Sequence, residues 1–510
     1  MTEKSIASSE FKPTHTPYGD ERNIIPVKPE LPLSSTDDSP KVDEPKVQPN
    51  GHAPEPKVEV DEPVPHSKVR TIAENINDGP RAAENSEIDL AERFLTEEPV
   101  WKYIALTNQW YRWNEESWRE DDVMQIYTHA KDFLKETVKE KQYHSKAKVA
   151  AVVDLCRYDR RAVSVIEQWD ADNFALNTPL GVVDLRIGRV RPAHPEDYCT
   201  KITSVMPDPE CATPLWTAFL EKVTQGDVDM QKYLKRVAGY CLTGDTREQC
   251  FFFLFGPGGN GKGVYSRILK AIVGDYATNA ENETFMEQKF DRHTTDMASL
   301  KGARLITAGE PEEGRGWNES RLKQFTGGDP ITARHMRCDN FTYVPQGKLL
   351  FSSNHRPTLK SVNEAIRRRF HLIPFPVALT DAERDEELEK KLKAEMPGIL
   401  QWMIDGCLDW QREGLNPPRE VLDASADYME SEDRLGLWLK ERCEVAPRYE
   451  EGSTKLWNDW KEWSFGRNET LGTQTAFSKT LKDRGFRSRS SHIKIFEGLR
   501  LVNYSSGVEG

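Results

Sequence analysis

The chain has 510 residues, of which 37% are hydrophobic and 30% charged, and a net charge of −13. That balance excludes a surface basic all over for coating nucleic acid, while it permits a protein that confines its basic residues to one channel. No run approaches the ~20 apolar residues a membrane helix needs, the opening MTEKSIASSEFKP lacks the apolar core of a secretory signal, and eight scattered cysteines without a CxxC pair read as reduced, mostly buried thiols.

Residues 1–85 are a Pro/acidic tail. Its first 70 residues hold 12 of the 31 prolines and 13 acids against 9 Lys/Arg, with a loosely repeated phrase (DEPKVQP, then PEPKVEVDEP). Too few large apolar groups are present to offset the ordering entropy, so a disordered, solvated leader is expected. Residues 86–211 read as an α+β domain. WKYIALTNQWYRWNEESWRED (101–121) alternates aromatic and polar residues around Asn114-Glu115-Glu116, which predicts a hairpin. Ile126, Ala130, Phe133, Leu134 and Val138 recur at helical spacing, and FALNTPLGVVDLRIGRVRP (174–192) predicts a second hairpin split at Arg186-Ile187-Gly188. Asp170 and Asp172 lack a third ligand nearby and read as a surface turn. Residues 212–246 form a helical collar, with Trp216, Phe219, Leu220 and Val223 on one amphipathic helix and Met230, Tyr233, Leu234 and Val237 on the next.

Residues 247–378 are the most informative. Phe251-Phe252-Phe253-Leu254-Phe255 is a continuous apolar run, as expected of a strand buried on both faces of a parallel sheet. It leads into Gly256-Pro257-Gly258-Gly259-Asn260-Gly261-Lys262-Gly263 and then a helix, VYSRILKAIVG. Strand, glycine loop, lysine and helix stand in the order of a P-loop: backbone N–H groups and the helix N-terminus face phosphate oxygens, and Lys262 reaches the outer phosphates. Gly263 departs from the usual Ser/Thr whose hydroxyl holds Mg²⁺. A second strand, Ala303 to Ala308, ends in Gly309-Glu310-Pro311-Glu312; Glu310 is the first choice for holding Mg²⁺, with Glu312 or Glu313 assisting. A third strand, Lys348 to Ser353, ends in Asn354, placed either to orient water or to cap the strand. Arg367-Arg368-Arg369 precede an apolar strand, either as a solvated rim or as the source of an arginine finger for a neighbouring subunit.

Residues 379–429 form a helical subdomain, with helices at Leu388–Leu392 and Ile399–Leu408 broken by Pro397-Gly398. Residues 430–510 are a small module. Trp457, Trp460 and Trp463 share one helix face, read as packing rather than as a base-stacking platform. A helix from Gln474 to Arg484 is followed by a basic hairpin, FRSRSS with HIKIF/LRLV. Helix plus basic hairpin is winged-helix-like, and Lys479, Lys482, Arg487 and Arg489 are its candidate duplex-DNA contacts.

Taken in order, GPGGNGKG, RLITAGEPEEG, LKQFTGGDPITARH, KLLFSSNHRP and EAIRRRFHLIPF resemble the superfamily 3 helicases, specifically the helicase half of phage and plasmid primase–helicases. LNTPLGVVDLRIG, YLKRVAGYCLTGDTREQ and MPGILQWMIDGCLDWQREGL extend the resemblance over roughly residues 100–500. The resemblance implies an α/β, AAA+-like P-loop ATPase core with a parallel sheet between the α+β domain and the C-terminal module. It implies an ATP- and Mg²⁺-dependent DNA helicase that forms a homo-hexamer and moves 3′→5′ on single-stranded or forked DNA. A separate primase or DNA polymerase partner is expected, since no polymerising primase domain is foreseen in the chain. No membrane partner is expected, and the expected location is the cytoplasm, that of the bacterial host for a phage protein. By the same resemblance Lys262 is the phosphate lysine, Glu310 the acid of the second motif, Asn354 the sensor, and Arg368 or Arg369 the finger. The basic stretch from Ile331 to Tyr343 matches the family's channel hairpin, with Arg334, His335 and Arg337 as phosphate contacts. Gly263 keeps open an alternative, an ATP-binding initiator or loader that assembles on DNA without processive unwinding.

Overall fold

The computed structural model describes residues 85–288, 295–309, 314–336, 339–359, 362–380, 383–467, 472–490 and 493–502. The Pro/acidic tail, Glu310, Glu312, Glu313 and Arg337 lie outside the described residues. The description is confined to the compact unit Pro80–Gly510.

The first part is an α+β arrangement. Ser86 caps helix α1 (Glu87–Glu97), its side chain accepting from the Asp89 N–H. Strands β1 (Trp101–Ile104), β2 (Gln109–Trp113), β3 (Trp118–Glu120) and β4 (Val163–Ser164) form a sheet in the order β3-β2-β1-β4. The hairpin expected around Asn114-Glu115-Glu116 is β2 paired with β3, and a second antiparallel pairing, β1 with β2, precedes it. Helices α2 (Gln125–Thr137) and α3 (Lys146–Cys156) close a core around Phe94, Trp101, Phe133 and Val152. The 174–192 segment is a meander of β5 (Ala175–Thr178), β6 (Gly181–Asp184) and β7 (Arg189–Arg191), with the second turn where Arg186-Ile187-Gly188 stand. Asp172 pairs with Arg186 at 2.8 Å beside that turn. Leu176, Val183 and Leu185 join the core of the next layer rather than that of α1–α3.

Two helices, α4 (Pro214–Val223) and α5 (Val228–Tyr240), lead into the central sheet. Its strands are β8 (Phe251–Phe255), β9 (Ala277–Ala280), β10 (Leu305–Ala308), β13 (Lys348–Ser353) and β14 (Phe370–Pro374). They run in the order β14-β8-β13-β10-β9, every neighbouring pair parallel. Helix α7 (Thr295–Ala298) precedes β10, and between β10 and β13 lie helix α8 (Glu319–Gly327) and an antiparallel hairpin, β11 (Ile331–Arg334) with β12 (Asn340–Tyr343). The run of phenylalanines in β8 is explained by burial on both faces. Phe252 and Leu254 enter one core with α4, α5 and α6 (Lys262–Val273), while Phe251 and Phe253 enter the other with Trp317 and Phe325.

Short helices α9 (Glu364–Arg367) and α10 (Leu388–Leu392) flank β14 in sequence. Pro397-Gly398 do not break a helix, contrary to the sequence reading: they stand in the first turn of α11 (Met396–Glu413), where proline's missing N–H has no partner to lose. Helix α11 crosses α5 with glycines facing both ways. A Cβ on Gly239 would come within 2.7 Å of the Cys407 Cα, and one on Gly406 within 2.8 Å of the Lys235 carbonyl carbon, so the crossing exists only while both positions lack side chains. Helix α12 (Arg419–Glu432) packs along β14 and brings Tyr428 onto Phe370 at 4.8 Å.

The C-terminal module consists of α13 (Arg434–Arg442), β15 (Cys443–Gly452), α14 (Ser453–Phe465), α15 (Gln474–Asp483), β16 (Ser488–Ser490) and β17 (Lys494–Leu501). Its antiparallel sheet has the order β15-β17-β16. Trp460 stacks on Trp463 at 5.3 Å and on Phe477 at 5.7 Å, so the tryptophan stripe packs inward. Seven cysteines among the described residues are free thiols, six of them buried. No helix among the described residues is long and apolar enough to cross a membrane.

His371, on β14, bonds the Tyr233 hydroxyl at 2.6 Å, and burial holds its pKa down to about 4. A histidine whose folded pKa lies below its unfolded value contributes stability above the unfolded value, near 6.5, and loses it as pH falls toward about 4. Denaturant unfolding followed between these limits should show that slope, and His371→Asn should flatten it.

Candidate active site

The parallel register places the carboxyl ends of β8 and β13 side by side, with Phe255 opposite Ser353. The glycine loop leaves the first strand there and Asn354 follows the second. Gly256 packs where a side chain would overlap the Phe375 carbonyl, and Gly261 turns the chain into α6 with φ of +90°. Asn260 is buried and its Nδ2 donates to the Phe375 carbonyl at 2.8 Å, which fixes the loop to the end of β14.

Lys262, 5% exposed, points its ammonium back into the loop. Nζ donates to the carbonyls of Gly256 (2.7 Å) and Pro257 (3.1 Å), to Asn260 Oδ1 (3.0 Å) and to Asn354 Oδ1 (2.8 Å). The structure therefore brings together two of the residues singled out in the sequence, Lys262 and Asn354, together with the loop 256–263. Asn354 and the loop residues from Gly258 to Gly263 line a cavity of about 500 Å³. Its apolar wall includes Phe219 and Val223 of α4 and Leu388 of α10, and its polar rim includes Arg267 and Arg384. These lining groups carry no local signature, because each becomes relevant only through packing against the loop. Phe219 and Val223 read only as one face of an amphipathic helix.

β10 ends at Ala308, beside Phe351 of β13, so the segment after it leaves from the same edge of the sheet. Arg368 and Arg369 stand at the other edge. Phe370 is opposite Phe251 and Pro374 opposite Phe255, so the arginines precede the strand whose far end meets the loop, a strand length of roughly 16 Å away. The two arginines also differ from each other. Arg369 is buried, with Nε donating to Thr326 Oγ1 at 3.2 Å and Nη1 to the Ala365 carbonyl at 2.8 Å. Burial and the neighbouring Arg368 both lower its pKa. Arg368 is exposed and reaches Gln249 Oε1 at 3.4 Å.

On the β11–β12 hairpin, Arg334 and His335 are exposed, and the His335 ring stacks on Phe341 at 5.3 Å. Lys301 lies with Nζ 5.0 Å over the other partner of that stack, the Phe341 ring. Its pKa is lowered by burial and by Lys201. Lys301 is a cation beside the hairpin that sequence reading missed, being 33 residues from Arg334. In the C-terminal module Lys479, Lys482 and Arg487 are exposed, whereas Arg489 pairs with Glu450 and Glu497, and Arg484 with Asp433. The positive charge of this tip is accordingly smaller than the count of Lys and Arg in its sequence.

Residues 90–225 match the family model described as D5 N terminal like, and residues 254–369 match a family of unknown function, DUF5906. Among curated proteins the chain is 30% identical over 259 residues to the protein named "Putative helicase L207/L206" of Acanthamoeba polyphaga mimivirus, covering 48% of this chain and 26% of that protein. It is 19% identical over 195 residues to Primase D5 of Fowlpox virus (strain NVSL), covering 37% of this chain and 23% of that protein. Over these segments the chain is similar to viral proteins named as a helicase and as a primase. The aligned part of the chain spans about a quarter of the length of those two viral proteins. Among solved structures, the NrS-1 C-terminal region in its apo A form covers 81% of this chain and 100% of that one, at 10% identity and a TM-score of 0.46.

The contrast between the two arginines predicts separate outcomes. Arg369→Met should lower folding stability by about 2 kcal/mol, because it removes the donors to the buried Thr326 hydroxyl and to the Ala365 carbonyl. Arg368→Ala should leave the denaturation midpoint near that of the parent.

Proposed function

We propose that this protein is an ATP-dependent replication helicase that translocates 3′→5′ on single-stranded DNA as a homo-hexameric ring. The observation that supports it most is the Lys262–Asn354 contact across the carboxyl ends of two adjacent parallel strands, over a glycine-lined cavity. In this reading the glycine loop is a P-loop of an AAA+-like core, ATP lies with its phosphates at Gly258–Lys262, and its base rests on the Phe219 and Val223 wall. Lys262 exchanges its oxygen acceptors for phosphate oxygens, and Asn354 orients the water that displaces ADP from the γ-phosphorus. Glu310 would hold Mg²⁺, which neutralises phosphate charge when bound. The loop does not fit the usual second ligand, since Gly263 has no hydroxyl.

The strand polarity favours a shared site. Arg368 is exposed on the edge opposite its own loop, so in this reading it serves a neighbour's nucleotide as the finger, and the anchored Arg369 braces it. Arg334 and His335 contact DNA phosphates in the ring's channel, with Arg337, while Lys479, Lys482 and Arg487 of the winged-helix-like module meet duplex DNA at the fork. The absent hydroxyl at 263 favours a second reading, an ATP-binding initiator or loader without processive unwinding; Mg²⁺-dependent turnover that stops in Glu310→Gln would exclude it.

Fork unwinding with ATP on 3′- and 5′-tailed substrates tests the main reading. Unwinding should require the 3′ tail and fall at least about a hundredfold in Lys262→Ala; undiminished unwinding in that variant would remove the motor. Mixing Lys262→Ala with Arg368→Ala subunits should regain part of the ATPase activity that each lacks alone, because some interfaces then pair an intact loop with an intact finger.

A further inference from the structure

Gly263 is not held at its place by backbone conformation, since its φ is outside the left-handed region that glycine alone adopts freely. What its missing Cβ provides is room. A Cβ there would lie 2.7 Å from Arg267 Nη1 and 3.2 Å from Arg267 Cζ. Residues 263 and 267 are one helical turn apart in α6, so the guanidinium lies over the first turn of the helix, at the position from which a Ser or Thr hydroxyl would face a metal. Glu389 of α10 orients it, accepting from Arg267 Nε at 2.8 Å and from Nη2, which leaves Nη1 as the atom nearest the loop.

A second guanidinium approaches the same loop. Arg384 lies against Gly259, with Cζ 3.1 Å from where a Cβ would be. Both arginines line the cavity that holds Lys262 and Asn354. Of the carboxylates at that rim, Glu383 pairs with Lys222 at 3.8 Å and Asp385 with Lys391 at 2.6 Å. Four cations, Lys222, Lys262, Arg267 and Arg384, thus line the cavity around a loop built to receive oxygen anions.

We propose that Arg267 and Arg384 form a two-arginine clamp on the phosphates of a nucleoside triphosphate, with Arg267 taking over the charge-neutralising role of the metal-binding hydroxyl absent at Gly263. This rests on the nucleotide reading of the cavity. Guanidinium groups bind phosphate through paired, charge-assisted N–H donors and need no metal to do so. Binding of the triphosphate is therefore expected to depend weakly on Mg²⁺, whatever the requirement of hydrolysis.

The test is calorimetric titration of the full chain with ATPγS, in Mg²⁺ and in EDTA. The parent should bind in EDTA within about tenfold of its affinity in Mg²⁺, whereas the double variant Arg267→Ala/Arg384→Ala should lose roughly a hundredfold in EDTA. A second double variant, Gly263→Ser/Arg267→Ala, should bind in Mg²⁺ and lose at least about tenfold in EDTA, having exchanged the guanidinium for a metal ligand. Arg267→Lys with Arg384→Lys, which keeps the ion pair to Glu389 and the fold, should fall between the parent and the alanine pair. If the arginine variants bind like the parent in both buffers while Lys262→Ala loses binding, the clamp is wrong and the nucleotide site stands. Parent protein that fails to bind ATPγS in either buffer overturns the site and the clamp together.

Discussion

The ammonium of Lys262 is the point on which the site is built. It gathers two loop carbonyls, the Asn260 side chain and Asn354, a residue 92 positions further along the chain. A buried ammonium of this kind persists only when oxygen atoms replace its lost water. Here the replacements come from two different strand ends, so the loop's shape depends on the register of β8 against β13. Any ligand that draws Lys262 away must also release Asn354, which couples occupancy of the loop to the end of the neighbouring strand.

The same sheet gives the molecule its polarity. Because its five strands are parallel, their carboxyl ends collect at one edge, with Lys262 and Asn354, and their amino ends at the other, with Arg368 and Arg369. The amino edge is also where the sheet is tied to the preceding region. Arg304 donates to the carbonyls of Leu242, Asp172 and Ala175 and lies 4.4 Å from the Tyr276 ring. Lys348 is buried beside it with the carbonyls of Thr243, Asp245 and Gln346 as acceptors, and its pKa is pushed down to about 7 by burial. Each is a basic side chain satisfied by backbone oxygens rather than by a carboxylate, so the segments that precede the sheet share one buried polar seam with it.

Some elements were open to sequence reading and others were not, for identifiable reasons. β8, α6 and the β11–β12 hairpin carry strong local patterns: a doubly buried apolar run, a glycine loop opening an amphipathic helix, and paired short strands. Helix α3, KAKVAAVVDLC, was missed because it is apolar around most of its surface and shows little periodicity. Strand β15, CEVAPRYEEG, was missed because a proline and several charges conceal an edge strand that pairs with β17 on one side. At the site, the loop and Asn354 were legible as motifs. Arg267, Arg384 and Lys301 were not, since a lone cation acquires meaning only from what folds against it.

By itself the sequence determined which local devices exist: the glycine loop with its lysine, the strands that carry it, the basic hairpin and the arginine run before β14. Those follow from periodicity and from the backbone freedom of glycine, which act over a few residues. The tertiary structure alone decided which devices meet. It set Asn354 against Lys262, laid two guanidinium groups on Gly259 and Gly263, and buried Arg369 while leaving Arg368 exposed. Those outcomes depend on strand register and on packing between residues far apart in the chain, and no pattern along the chain encodes them locally.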